Sequence, residues 1–352
     1  MNKIVLTILM LCSALFAVAQ QQLPLIPQPQ NVIAKTGTFE MPKKLLVCVA
    51  DYENDSLKMV VDRFALQLKE SADVKTKYTK YPARSVMDVR LNPNINPEGY
   101  RLEVESEAII IEVSSPAGVF YALQTLKQLM PKEIMAGTAL ATKTKMEVPC
   151  VSIADEPLYG WRGFMLDEGR HFFGKDEVKR IIDLMATYKM NRFHWHLTED
   201  QGWRIEIKKY PKLTEIAAWR NTKKLGWGDE YPTDGEHYGG FYTQEDIREV
   251  VAYAKERFVE ILPEIDMPGH FQAALAAYPE LSCTPDEKHE VWLSQGVSAD
   301  VMNVAAPAAV QFTKDVVDEL TSLFPFGYIH LGGDECPTHK WEIGRASCRE
   351  RV

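Results

Sequence analysis

The chain has 352 residues, 46% of them hydrophobic and 25% charged; this is ordinary globular composition, enough for one large or two medium domains, and it excludes a wholly disordered chain. Its formal net charge is -9, and no Lys/Arg cluster approaches the size of a phosphate-backbone footprint, so no nucleic acid partner is expected.

Met1-Asn2-Lys3 leads into an apolar run from Ile4 to Val18, with Ala17-Val18-Ala19 just before Gln20. A basic start, an apolar stretch and a small-residue cleavage site make residues 1–19 a signal peptide, so the protein is expected to be exported to the periplasm or the outside of the cell. The run is short for a membrane span, and no transmembrane segment is expected in the mature chain. Cys12 lies inside the run, with Ala14 to Val18 still to follow, which disfavours a lipid-anchoring role. Cys48, Cys150, Cys283 and Cys336 are widely spaced without a CxxC, a pattern of neither a zinc site nor a disulfide scaffold, and both free and paired thiols stay open.

Residues 20–155 mix strand-like and helix-like pieces and are expected to form a small α+β domain. Leu45–Val49 is a short apolar run. A helix follows over 57–68, with Val60, Val61, Phe64, Ala65 and Leu68 at three- and four-residue steps. Tyr100–Val104 and Ala108–Val113 are expected as paired strands, and Pro116 opens a helix through Val119, Leu123 and Leu126.

Residues 156–342 are expected to form the second domain, and from Trp161 the pattern alternates strand and helix as in a parallel α/β fold. Strands are expected at Gly163–Asp167, Asn191–Leu197, Phe258–Asp266 and Tyr328–Leu331. Helices are expected at Asp176–Tyr188, after a capping-box-like Thr243 and Asp246, and through Phe312, Val316, Leu320 and Leu323. Each expected strand ends in ionisable residues: Asp167; Glu199 and Asp200; Glu264, Asp266 and His270; Asp334 and Glu335. In a (β/α)8 barrel those ends share one face, where active sites are built. A single carboxylate after a strand means little, but four groups in register mark a site.

The runs Trp161-Arg162-Gly163-Phe164-Met165-Leu166-Asp167, Arg170-His171-Phe172, Phe193-His194-Trp195-His196-Leu197, Gln201-Gly202-Trp203-Arg204-Ile205, Glu264-Ile265-Asp266-Met267-Pro268-Gly269-His270 and His330-Leu331-Gly332-Gly333-Asp334-Glu335 resemble glycoside hydrolase family 20 in order and spacing. The domain before them resembles that family's amino-terminal domain. The resemblance implies an α/β fold: a (β/α)8 TIM-type barrel, of which about the first four strand-helix units are present, preceded by the small α+β domain. It implies a β-N-acetylhexosaminidase that removes terminal non-reducing β-linked N-acetylglucosamine or N-acetylgalactosamine from oligosaccharides or glycoconjugates, with no cofactor and no metal.

An ordinary retaining glycosidase needs two carboxyl groups about 5 Å apart, one of them a nucleophile. Sequence neighbours are poorly placed for that. The resemblance implies instead that the sugar's 2-acetamido oxygen attacks its own anomeric carbon, that Asp334 orients and stabilises the acetamido group, and that Glu335 is the acid and then the base. Glu335 must start protonated, so a nearby acid or partial burial is expected around it. The resemblance also implies Arg162 against the sugar hydroxyls, held by Asp266, and His270 between Glu199 and Glu335. The family commonly has Asp where Glu199 stands. His196 either lines the pocket or is a core histidine. For Trp195, Trp203 and Trp341, core packing weighs against a sugar platform.

Two other readings compete. His194 and His196 share one face of a strand beside carboxylates, as in a metal-dependent hydrolase, and a site that binds sugar without cleaving it is the second. A barrel needs about eight strand-helix units over some 250 residues, whereas 161–342 offers four expected strands. Residues 343–352 carry three arginines and no amphipathic period; they resemble a translated sequencing-adapter read and are expected to be a non-native tail. The chain is therefore expected to be the front part of a longer enzyme and inactive by itself.

Overall fold

The computed structural model describes residues 23–50, 55–141, 145–226 and 234–342. The expected signal peptide and tail, with Cys12 and Cys348, lie outside the described residues. The chain divides into two compact units, Met1–Gly160 and Trp161–Val352.

The first unit is a seven-stranded sheet in the order β1-β7-β5-β6-β4-β2-β3. Its strands are β1 (Asn31–Glu40), β2 (Lys44–Val49), β3 (Lys75–Tyr78), β4 (Met87–Leu91), β5 (Tyr100–Val104), β6 (Ile109–Val113) and β7 (Glu147–Asp155). Alternation explains the centre: Tyr100, Leu102 and Val104 of β5 and Ile109, Ile111 and Val113 of β6 are buried, every second residue facing the core. Helix α1 (Asp55–Ala72) buries Leu57, Val60, Val61, Phe64 and Leu68. Helix α2 (Pro116–Leu129) starts where Ser115 accepts hydrogen bonds from the amides of Ala117 and Gly118, with proline in its first turn. The short α3 (Lys132–Ala136) follows. Strands β1, β3, β4 and β7 were not expected. Along β1 only Phe39 is buried, so no period-2 apolar pattern announces that strand, and its antiparallel pairing with β7 is a contact distant in sequence.

The strands of the second unit are β8 (Gly163–Asp167), β9 (Arg192–His196), β10 (Thr198–Glu199), β11 (Gly202–Trp203), β12 (Trp219–Arg220), β13 (Tyr238–Gly239) and β14 (Glu260–Glu264). β8, β9 and β14 form a parallel sheet in the order β14-β9-β8, while β10 pairs with β11 and β12 with β13. Helix α4 (Lys175–Thr187) joins β8 to β9; α5 (Lys212–Glu215), α6 (Gln244–Lys255), α7 (Gln272–Ala277) and α8 (Pro307–Leu323) follow. The capping box of α6 is complete: the Asp246 amide donates to the Thr243 hydroxyl and the Thr243 amide to the Asp246 carboxylate, each at 3.1 Å. The apolar stripes of α4 (Val178, Ile182, Met185), α6 (Ile247, Val250) and α8 (Phe312, Val316, Leu320) share one core with Phe193 and Trp195 of β9. Trp195 and Trp203 are core residues, and the Trp341 indole donates to the Met302 carbonyl.

The expected fourth strand is reduced to a β-bridge, in which His330 pairs in parallel with Glu264. The His330 amide donates to the Pro263 carbonyl (2.9 Å), and the Ile265 and Met267 amides donate to the His330 and Leu331 carbonyls (3.0 Å each). Gly332 and Gly333, at φ +63° and +92°, turn the chain immediately afterwards, and among the described residues no strand pairs along its other edge. Among the described residues, Cys48, Cys150 and Cys336 are free thiols. No helix among the described residues is long and apolar enough to cross a membrane.

Candidate active site

Parallel strands deliver their last residues to a common edge. That edge holds Asp167 at the end of β8, His196 at the end of β9 with Glu199 and Asp200 beyond it, Glu264 at the end of β14 with Asp266 beyond it, and Asp334 and Glu335 beyond the His330 bridge. Glycines let the last segment come close. A Cβ on Gly332 would sit 1.4 Å from Asp266 Oδ1, and one on Gly269 would sit 3.0 Å from the Asp334 carbonyl oxygen. His270 and Glu335 themselves have positive φ, +49° and +41°, a conformation that costs non-glycine residues energy and gathers at functional sites.

His270 occupies the middle. Its Nδ1 lies 3.0 Å from Glu199 Oε2, and its Nε2 lies 3.4 Å from Glu335 Oε2 and 3.6 Å from Asp334 Oδ2. The carboxylates of Asp200 and Glu199 push its pKa up to about 11. Burial works against ionisation of Glu199, yet His196 and His270 hold it down to about 2. Burial also opposes a charge on His196, but Glu199 and Glu264 carry it up to about 10. Burial pushes the Asp266 carboxyl up to about 7, and neither of its oxygens is hydrogen-bonded among the described residues. The longer Glu199 side chain thus reaches His270 after all.

Of the two surroundings expected for Glu335, partial burial is absent and a neighbouring acid is present. The Asp334 and Glu335 side chains are 62% and 64% exposed, and a carboxylate oxygen of each lies within 4.8 Å of the other and of the His270 imidazole. The segment leaves the sheet at Gly332-Gly333 and carries the pair into solvent.

Arg162 also departs from expectation. It precedes β8 at the amino end, where its amide donates to Asn191 Oδ1 (3.0 Å) and its Nε to the Lys189 carbonyl (2.6 Å). About 16 Å of strand separates it from Asp167, and among the described residues neither Asp266 oxygen accepts a hydrogen bond from it; the cation beside Asp266 is His196, with Nε2 3.3 Å from Oδ2. The arginine at the carboxyl edge is Arg170, with Nη1 3.0 Å from Asp167 Oδ2 and Nη2 2.7 Å from Glu199 Oε1. Its place three residues after a strand-end aspartate was the available sequence signal.

His194 and His196 both face Glu264, with Nε2 and Nδ1 at 2.6 and 2.7 Å from Oε2, and His330 Nδ1 is 2.6 Å from Oε1. His194, Glu264 and His330 have ligand atoms close enough to hold a divalent cation. Their direct pairing gives each imidazole a carboxylate partner without one.

Glu168, beside Asp167, is fully buried; it accepts from the Tyr242 hydroxyl (2.7 Å) and the Phe173 amide (2.8 Å), and burial pushes it up to about 7. Because this folded value exceeds the ordinary one of 4.5, its contribution to stability is complete below the unfolded pKa and is lost as pH rises through 7. Between pH 5 and 8 the native protein is expected to lose about 2 kcal/mol more stability than Glu168→Gln. All seven tryptophans follow Gly160, so urea unfolding followed by tryptophan fluorescence reports the second unit. Parallel pH profiles for the two proteins would contradict this.

Comparison with known proteins gives a consistent picture. The profile described as "Glycosyl hydrolase family 20, catalytic domain" matches residues 159–352, and "Glycosyl hydrolase family 20, domain 2" matches residues 22–156. The chain is 41% identical over 334 residues to a beta-hexosaminidase of Porphyromonas gingivalis, covering 93% of this chain and 40% of that protein. It is 42% identical over 320 residues to a beta-hexosaminidase of Vibrio furnissii, covering 91% and 50%. Among solved structures, a GH20 exo beta-N-acetylglucosaminidase from Vibrio harveyi in complex with N-acetylglucosamine superposes with a TM-score of 0.78 at 34% identity, covering 94% of this chain and 50% of that one. The chain thus spans half or less of the length of these two curated relatives.

Proposed function

The chain belongs to glycosyl hydrolase family 20, whose members are glycosidases, and from that premise we propose that the enzyme it forms part of removes terminal non-reducing β-linked N-acetylglucosamine or N-acetylgalactosamine from oligosaccharides or glycoconjugates. The mechanism is retaining and substrate-assisted; family 20 is one of the recognised exceptions to the two-carboxylate rule. The observation that carries this reading is the Asp334-Glu335 pair at the carboxyl edge of the parallel sheet, backed by a single imidazole within 3.4 and 3.6 Å of both carboxylates.

In this reading the sugar's acetamido oxygen attacks the anomeric carbon while Glu335 protonates the departing oxygen. Asp334 holds the acetamido group and balances the positive charge that develops on its nitrogen. Glu335 then takes a proton from the water that opens the oxazolinium ring. His270, tied to Glu199, orients Glu335. Arg170 replaces Arg162 as the arginine for the sugar hydroxyls, since its planar fork lies on the same edge as the pair and suits two vicinal oxygens. Residues 1–19 direct export, which puts the enzyme where glycan substrates are found.

The deciding experiment is the release of an aryl leaving group from an aryl N-acetyl-β-hexosaminide by the full-length enzyme. No release would sink the reading. We also propose that turnover needs barrel elements beyond the described ones, because β8 leaves Phe164 and Met165 44% and 48% exposed. Residues 1–352 alone are expected to release nothing above the uncatalysed rate, and measurable turnover would refute that part.

A further inference from the structure

Arg204 is fully buried and ends in no carboxylate. Its guanidinium has five N–H donors, and all five go to backbone carbonyls: Nε to Glu168 (3.0 Å), Nη1 to Ala218 (2.6 Å) and Gly240 (3.3 Å), Nη2 to Gly169 (2.8 Å) and Gln201 (3.4 Å). Arg220, 3% exposed, behaves in the same way: Nε donates to Thr222 (3.0 Å), Nη1 to Gln201 (3.0 Å) and Nη2 to Arg170 (2.8 Å). Its guanidinium also lies over the Tyr238 ring, 4.7 Å from the centroid.

Three consecutive carbonyls, those of Glu168, Gly169 and Arg170, therefore accept from two buried guanidinium groups, and both groups also hold the Gln201 carbonyl. The first set belongs to the loop after β8 and Gln201 to the turn after β10. The two loops touch: a Cβ on Gly169 would lie 2.5 Å from Glu199 Cβ, and one on Gly202 would lie 2.2 Å from Arg204 Cζ. Burying a charge is costly unless its donors are satisfied. Five carbonyls satisfy Arg204 only if both loops hold this arrangement, so the charge selects the loop geometry as well as tolerating it.

We propose that Arg204 and Arg220 are positioning residues that lock the loop bearing Arg170 against the loop bearing Glu199, so that the Arg170 guanidinium stands between Asp167 and Glu199. This rests on Arg170 being the sugar-binding arginine of the proposed function. Lysine keeps the charge but offers a point donor in place of the planar fork, so Arg204→Lys and Arg220→Lys separate charge from geometry.

The test has two arms. In the 352-residue chain, amide hydrogen exchange is measured at Arg170, Phe172 and Phe173, whose amides donate to Asp167, the Tyr238 hydroxyl and Glu168, with β9 as the internal reference. Exchange at these three is expected to rise about tenfold or more in each lysine variant, the scale of a lost hydrogen bond to a charged group, while β9 stays protected. Unchanged loop exchange overturns the clamp. Equal loosening of β9 reduces the arginines to general stability and overturns it too. In the full-length enzyme, each variant is expected to raise KM for an aryl N-acetyl-β-glucosaminide about tenfold with a smaller change in kcat, and to add nothing further once Arg170→Ala is present. Additive effects in that background overturn the link to Arg170. If the unsubstituted enzyme fails to cleave the glycoside, the functional reading falls with its sugar-binding role for Arg170, while the exchange arm still decides whether the clamp holds the loop.

Discussion

An aryl β-glucoside, in which a hydroxyl replaces the 2-acetamido group, is expected to be hydrolysed by the full-length enzyme roughly 10³-fold or more slowly than the corresponding N-acetyl-β-glucosaminide. In the proposed mechanism an intramolecular nucleophile is already in place at the anomeric carbon, so the acetamido group supplies what a protein carboxylate supplies in other retaining enzymes. Asp334 and Glu335 are adjacent and both emerge from the same turn after Gly332-Gly333, and the imidazole behind them contacts both. In the proposed mechanism Glu335 serves the departing oxygen and Asp334 the acetamido group, so the attack falls to the substrate's own oxygen. A thiazoline that mimics the cyclised intermediate should inhibit. Comparable kcat/KM on the two glycosides would sink the assisted mechanism and call for a protein nucleophile.

The second large effect separates the two carboxylates. In the proposed mechanism Glu335→Gln removes the proton donor, so the full-length variant is expected to be slowed by about 10²–10⁴ on a substrate with a poor, alkoxide leaving group. A nitrophenolate needs little protonation, and its glycosylation step should change far less. Asp334→Asn removes a negative charge from the developing oxazolinium whatever the leaving group, so both substrates should slow by about 10²–10³. Pre-steady-state release of the aryl group isolates the first step. If Glu335→Gln slowed glycosylation equally for good and poor leaving groups, its role as the acid would be wrong.

Much of the second unit was legible before folding because its signals are local. The three- and four-residue apolar steps of α4, α6 and α8, the Thr243–Asp246 box and the ionisable residues after each strand depend on neighbours within a few positions. Strand β8 coincides with the expected Gly163–Asp167, and β9 and β14 lie within the expected bounds. The weaker signals failed for a common reason. Strand β1 exposes nearly all its side chains, so its pairing with β7 leaves no periodic trace. The segment 328–331 has the composition of a strand, yet a strand also requires partners, and only β14 provides one here.

The sequence by itself determined which residue types end the parallel strands, that a glycine pair precedes Asp334-Glu335, and that His270 follows the third strand, because strand direction and chain order suffice to bring those ends to one edge. Chain order also separates the two arginines, since Arg162 precedes β8 and Arg170 follows its carboxyl end. Only the tertiary structure decided their partners: Arg170 pairs with Asp167 and Glu199, while Arg162 donates to Asn191 and Lys189. It also decided the charges. His196, Glu199, Asp266 and His270 depart from their ordinary protonation through burial and through partners up to 71 residues away, and a desolvation penalty or an ion pair exists only once the chain has brought those groups together.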